Sequence, residues 1–473
     1  MTARLIVCVL LFGASTLPPG AMAAEPSQTD TRGYAVVSAG YSEVASSPQA
    51  ASNLDTWLTE AADARAVEAE PPHSDLYLGD AGYETYRTQA DAVWTEEDFF
   101  HRGQLFAQGW LDQGFTWNPA SPDSRLNYPL TFNDRANEYQ MNQLYLAMGR
   151  RVNTEGCKFD VGGRVDLLYG TDYFFTEATG LENHPDGTPR WNTTGPRAGG
   201  TAAIYGLAMP QLYAEFYMPW RYGTTVKVGH FYSIMGCESV MAPRNFFYSH
   251  SYSKQYGEPF TFTGFLASYQ YGERLTFHAG MTRGWDSWED PTDRPGFLGG
   301  VSWTSRDGRT NVDVTMTTGD EEVNGQNNRT AYSLVLAHQL NCRWSYVIQH
   351  DFGVQRDGAF DAQFQSVPAH WYSLNQYLFY TMSDTVSLGA RFEWFQDTNN
   401  YRVLGIPFAS QVTGKNYYEA TVGLNWKPSP RFTLRPELRW DWSDVTPPGD
   451  RGMYNDFRSR HQFTLATDLI FMF

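Results

Sequence analysis

No stretch beyond the first two dozen residues of this 473-residue chain reaches eighteen consecutive apolar positions, which excludes a bundle of membrane-spanning helices. A basic surplus is missing as well. The formal net charge is −17, whereas a nucleic-acid surface needs a cationic footprint. Cysteine is scarce: Cys157, Cys237 and Cys342 remain after an early Cys8, an odd number without a C-x-x-C pair. One disulfide stays open, but a disulfide framework or zinc ribbon is not readable. The chain has no nucleophile elbow, P-loop, dinucleotide fingerprint, H-E-x-x-H or EF-hand loop, so no catalytic residue, cofactor or metal site is assigned. Carboxylates and amides do cluster at Asp286 to Asp293 and Asp320 to Asn328. They match no calcium-binding spacing and read as solvated loops, with weak calcium binding as the minor alternative.

What is present begins with an export signal. Arg4 precedes the apolar run Leu5 to Gly13, and Ala21-Met22-Ala23 supplies the small residues of a cleavage site, expected after Ala23. Residues 24–98 follow as an acidic leader. Fifteen acids against three arginines leave it at −12, and with Pro71-Pro72 its composition is that of a disordered periplasmic segment. Residues 99–473 carry only −6, so the acidity of the whole chain says little about the main domain. That domain explains the aromatic content of 16%, high for a chain of mean hydropathy −0.46. Strands that face lipid on one side and a lumen on the other hide in average hydropathy while placing aromatics at both membrane interfaces.

From residue 105 the chain breaks into strand-like runs whose connections alternate in length. Short ones fall at Val152 to Cys157, Pro219 to Gly223, Tyr271 to Arg274, Ser305 to Thr310, Leu340 to Arg343, Met382 to Asp384 and Lys427 to Arg431. Long ones fall at Asn118 to Asn137, Tyr173 to Gly206, Gly236 to Glu258, Ser287 to Gly296, Gly319 to Arg329, Arg356 to Pro368, Thr398 to Lys415 and Asp444 to Phe457. Seven short and eight long connections predict an all-β, up-and-down transmembrane barrel of about sixteen antiparallel strands, with twelve to eighteen compatible. Period-2 patterning agrees. Val386, Leu388, Ala390, Phe392 and Trp394 share one face and Ser387, Gly389, Arg391 and Glu393 the other; the runs from Tyr418 and Phe432 repeat this. No amphipathic helix is available to cover so many apolar faces, so lipid is the expected partner. The runs at Glu138 to Arg150, Pro259 to Tyr271 and Phe297 to Trp303 are ambiguous in face, and Pro436 sits in mid-strand where it removes a donor. The last run, Phe463 to Phe473, ends on an aromatic residue, the pattern expected of the strand read by the barrel assembly machinery.

Several segments resemble the putative beta-barrel porin-2 family, the OmpL-like porins. They are Gly109-Trp110-Leu111-Asp112-Gln113-Gly114 through Trp117-Asn118, Val228 to Phe231, Gly236-Cys237-Glu238, Asn245 to Ser249, and Glu258-Pro259-Phe260 through Gly264. The likeness runs from about residue 100 to the end and leaves out the acidic leader. It implies an outer-membrane channel and does not identify the solute.

The expected function is a porin passing small hydrophilic solutes or ions through a water-filled barrel, in the bacterial outer membrane. Lumen-facing residues are expected at Asp160, Arg164, Asp166, Glu215, Lys227, Arg391, Glu393, Glu419, Arg435, Glu437, Arg439 and Asp441. Their mixed signs predict at most a weak cation preference. The third long connection carries Glu238 and Arg244 beside Phe246, Phe247 and Tyr248; it is expected either to fold inward and narrow the pore between opposed charges or to cap the barrel. Tyr213 and Tyr217 leave room for a sugar-selective porin. A structural barrel with a filled lumen is the other reading, disfavoured because Gly163, Gly389 and Gly423 leave wall positions unfilled. An outer-membrane hydrolase built on His230, His250 or His350 is less expected still. A homo-oligomer is compatible with the sequence.

Overall fold

The computed structural model describes residues 105–154, 157–192, 204–289, 292, 294–321, 327–361, 363–405 and 412–473. The export signal and acidic leader lie outside them. Sixteen strands are present: β1 (Leu105–Trp117), β2 (Tyr139–Arg150), β3 (Asp160–Gly170), β4 (Gly206–Met218), β5 (Thr224–Tyr232), β6 (Thr261–Tyr271), β7 (Leu275–Thr282) and β8 (Gly296–Thr304), then β9 (Thr310–Asp320), β10 (Asn328–Gln339), β11 (Trp344–Phe360), β12 (Ser366–Ser383), β13 (Val386–Asp397), β14 (Asn416–Ser429), β15 (Phe432–Ser443) and β16 (His461–Met472). Each pairs antiparallel with its neighbours in sequence, and β1 pairs with β16, giving a closed barrel. Closure leaves no edge strand, so the backbone is satisfied within the wall, as hydrocarbon requires. The seam ends where Gly109 and Phe473 exchange two backbone hydrogen bonds of 2.8 and 2.9 Å.

The alternation read from sequence governs the wall. Leu388, Ala390, Phe392 and Trp394 point outward, while Gly389, Arg391 and Glu393 are buried inside. Phe159, Phe216, Trp220, Tyr222 and Tyr271 crowd the end with short turns, and Tyr169, Tyr418, Trp440 and Trp442 the end with long loops, as the two aromatic girdles of a lipid-facing barrel do. The ambiguous runs have physical causes. In β2 the register shifts opposite Asp112 and Gln113, leaving Asn142 as an extra residue, so Asn142 and Gln143 are both buried inside and the period of two breaks. In β6 and β8 both faces are apolar, because Phe262, Leu266 and Leu298 pack inward on Phe231 and Ile234. Pro436 is accommodated opposite Thr467, and Pro210 lies in the irregularity where β4 shifts register against Asp166 and Leu168.

One long connection is shorter than the sequence suggests. The stretch 356–368 is mostly strand: β11 and β12 continue past an irregularity between Gln355 and Ala359, with left-handed Asp357 inside it, so that β11 runs to Phe360 and β12 starts at Ser366. The free thiols Cys157 and Cys342 are exposed and Cys237 is buried, so none of the three forms a disulfide.

The ring of Phe473 occupies the space a side chain at Gly109 would need, with ring carbons 2.5 and 2.7 Å from that Cβ position. Gly109→Leu should therefore impair closure of the seam, measured as a lower heat-modifiable fraction on electrophoresis after refolding; an unchanged fraction would contradict this seam geometry.

Candidate functional site: the barrel lumen

Residues 233–260 leave the wall after β5, cross the lumen and return to β6. Of these residues only Arg244 is not buried. The two ends meet at one wall residue. The Cys237 N–H donates to Gln349 Oε1 at 2.9 Å, and the amide nitrogen of Gln349 donates to the Glu258 carboxylate and to Asp351. Gly236, at φ +78°, lies against that same Glu258 carboxylate with no room for a side chain. Residues 237–257 are thus a loop with a narrow neck, packed by its own side chains and held inside the barrel.

Charged wall residues hold the loop. Arg391 pairs with Glu238 of the loop at 3.0 Å and with Glu419 of β14 at 2.5 Å, donates to the Ser249 carbonyl at 2.7 Å, and lies over the Phe247 ring. Arg435 pairs with Asp468, and Arg439 with Asp441 at 2.8 Å. Glu437 accepts from the Tyr248 and Ser249 amides at 2.9 and 3.1 Å, and Glu393 from those of Tyr252 and Ser253 at 2.5 and 2.7 Å. Burial pushes the Glu238 carboxyl up, but Arg391, His250 and Tyr377 outweigh it and hold the group well below the usual carboxylate range. Ionised partners double the strength of such hydrogen bonds, and each charge here is met by an opposite charge or by backbone dipoles.

The glycines work with the charges. A side chain at Gly389 would overlap Phe246, one at Gly114 would overlap Tyr248, and Phe247 lies 3.2 Å from the Cβ position of Gly423. Inward glycines on β13, β14 and β1 are seats for the three consecutive aromatic rings of the loop. They do not leave the lumen empty, which corrects the expectation from sequence. The loop narrows the lumen on that side of the barrel. Residues 118–138, 398–405 and 444–460 thicken the packing on the loop: Tyr128 donates to the Val403 carbonyl at 2.8 Å, the Thr131 amide to Gln255 at 3.0 Å, Phe132 packs on His250 and Phe260, and the Tyr454 and Tyr252 hydroxyls meet at 3.0 Å. A stack of Arg329, Trp285, Arg402 and Trp371 joins β10, the loop after β7, the loop after β13, and β12, with cation-to-ring distances of 4.8 to 5.1 Å.

The sequence-derived residues fall into three groups. Arg391, Glu393, Glu419, Arg435, Glu437, Arg439 and Asp441 project inward but are buried against the loop or one another, so they do not face an open pore. Arg164 and Asp166 pair at 2.6 Å, with Tyr145 and Gln211 also donating to Asp166. Asp160 sits at the rim on Arg150. Glu215 and Lys227 are opposite each other on β4 and β5 and half-buried, with Lys227 5.2 Å from the Tyr213 ring centroid. Glu238 and Arg244 are not opposed across an opening: Glu238 is locked to Arg391 and His250, while Arg244 is at the water-facing tip. Asp468, Gln349 and Gln143 also lie at inward positions and were not among the expected residues; for Gln143 the bulge at Asn142 breaks the period that would mark it. His230 is under Trp288, His250 is on Glu238, and His350 stacks on Tyr332, so the three share no site. Asp286 accepts from the Phe260 and Thr261 amides, which uses one of its oxygens; among the described residues no cluster of three potential metal ligands forms.

The family comparison adds to this geometry. The profile described as "Putative beta-barrel porin-2, OmpL-like" matches residues 104–473. The chain belongs to this family. The porin is thus a bacterial outer-membrane barrel and passive channel, with lipid around its outer face. Similar solved structures include the outer membrane channel DcaP of Acinetobacter baumannii, at 10% identity over 78% of this chain and 97% of that one, with a TM-score of 0.51. The anion-selective porin from Comamonas acidovorans is similar at 8% identity over 78% and 99%, also at 0.51. At these identities the likeness concerns the fold. No curated protein matches the sequence.

Arg391→Ala removes the arginine that Glu238 and Glu419 share, leaving Glu238 with His250 and Glu419 with Arg439 at 3.9 Å, and should destabilise the protein by about 3 kcal/mol. A lower thermal transition of the folded barrel, with new protease cleavage within 237–257, is the expected result.

Proposed function

We propose that this porin passes small hydrophilic solutes or ions passively along a narrow path, restricted by the loop 237–257, and that it is not an enzyme. The single observation that carries this is the burial of the whole segment 233–260 except Arg244 inside a closed barrel. The water-facing part of the lumen supports the placement of the path: Tyr213, Glu215, Lys227, Gly229, Gly264, Gln270 and Gly300 on β4, β5, β6 and β8 are half-buried, while the inward charges of β13 and β15 are covered. Glu215, Lys227 and Arg244 are half-buried where most lumen charges are buried, which makes them the groups most able to set a small ion preference. The buried Tyr217, and Tyr213 beneath Lys227, make no continuous aromatic track, so a sugar-specific path is not favoured.

The finer parts of the reading follow. The signal is cleaved after Ala23, residues 24–98 are a periplasmic leader ahead of the barrel domain, and Phe473 on the seam is the feature offered to the assembly machinery. A homo-oligomer would meet on the low wall of β5, β7 and β8, which have nine, eight and nine residues against seventeen in β11. A second reading, a plugged structural barrel, is favoured by the packed loop itself.

Planar-bilayer conductance of refolded protein, with reversal potential in a salt gradient, separates the two. Small stable steps support the porin, and silence from a heat-modifiable barrel supports the plug. Arg244→Ala should shift the reversal potential toward cations because it removes a half-buried cation from the loop. Glu238→Ala should raise conductance by loosening the loop; unchanged records for both would remove the loop from the conducting path.

A further inference from the structure

We propose that the β13–β15 side of the lumen is a binding site for a peptide, occupied in this structure by the chain's own segment Ala242 to Ser253; this rests on the porin reading above. The wall reads that segment through its main chain. Arg435 donates to the carbonyls of Ala242 and Asn245 at 2.8 and 2.7 Å, Arg391 to that of Ser249 at 2.7 Å, and Arg439 to that of His250 at 2.5 Å. Glu437 accepts from the Tyr248 and Ser249 amides, and Glu393 from those of Tyr252 and Ser253. Five side chains, three arginines and two glutamates on two strands, therefore serve eight backbone groups, four donors and four acceptors. A sugar or a simple ion presents no such row of amides and carbonyls, whereas any peptide does.

Every buried loop needs its backbone satisfied. Here turns at Ala242–Arg244 and Ser253–Gly257 serve part of the backbone, and charged residues of the wall serve eight further groups, so the same wall groups suit a second peptide. The recesses at Gly389, Gly423 and Gly114, filled by Phe246, Phe247 and Tyr248, would take aromatic side chains of such a ligand.

The loop is also least satisfied where it would hinge. Lys254 Nζ and Glu258 Oε2 face each other as a buried ion pair at 3.7 Å, too long for a hydrogen bond, and Asp351 Oδ1 nearby is buried without a hydrogen-bond partner, beside Gly236. Release of the loop would hydrate those three atoms. A tethered segment competes at an effective concentration in the millimolar range, so an added peptide must reach about that level to displace it.

The test uses the capped hexapeptide of residues 245–250, Asn-Phe-Phe-Tyr-Ser-His, and the same peptide N-methylated at the amides matching Tyr248 and Ser249. A variant with 242–253 replaced by Gly and Ser residues of equal length should bind the fluorescently labelled hexapeptide about tenfold or more tightly than the intact protein does. N-methylation should weaken that binding about tenfold or more, since it leaves the side chains and removes the donors to Glu437. A heat-modifiable variant that binds neither peptide, or both equally, overturns the proposal.

If that variant does not fold, the intact protein in a bilayer decides. Conductance altered by the hexapeptide at about 10 mM and not by its N-methylated form supports the site. Steps that ignore both peptides overturn it and leave the porin reading standing. Silence overturns the porin reading, and this inference, which rests on it, with it.

Discussion

A peptide group removed from water must find a hydrogen-bond partner, and both sides of this wall follow from that constraint. Toward lipid the answer is closure: sixteen strands satisfy one another, and β1 meets β16. Toward the lumen the same problem returns when residues 233–260 are drawn inside. There the answer comes from side chains, with Arg391, Arg435 and Arg439 for carbonyls and Glu393 and Glu437 for amides. The charges of β13 and β15 and the inward loop are therefore mutually dependent. Without the loop, the wall charges would lack half of their partners; without the charges, a buried loop backbone would go unmet.

Packing reinforces the electrostatics at a different scale. Hydrogen bonds fix the height of the loop, and the rings of Phe246, Phe247 and Tyr248 fix its lateral position in recesses that only glycine leaves. The neck is tied by Gln349 between Cys237 and Glu258 and by the Ser233 N–H to the Phe260 carbonyl at 2.9 Å.

Most of the architecture was legible in the sequence because it depends on local periodicity. Alternation in β13, β14 and β15 and the contrast between short and long connections gave sixteen strands and their faces. Where a bulge at Asn142 broke the period, or where Leu266 and Leu298 packed on a loop from behind, the pattern lost its meaning. The contents of the lumen were harder to read for a similar reason. Glycine at 389 and 423 signals space, and sequence cannot say whether water or a ring from 140 or more residues away fills it. Glu238 and Arg244 lie six positions apart, but one is locked in an ion pair and the other meets water, a difference set by the three-dimensional path of the loop.

The withdrawal of the third loop also divides the outward-looking surface of the cell unevenly. Connections such as 118–138 and 444–460 remain where antibodies, phages and proteases first meet a barrel of this kind, and exposed residues there can vary at little structural cost. Residues 233–260 present no epitope except through whatever reaches Arg244. Their sequence answers to an internal fit, so pressure from outside the cell should leave its mark on the surrounding loops and pass this one by.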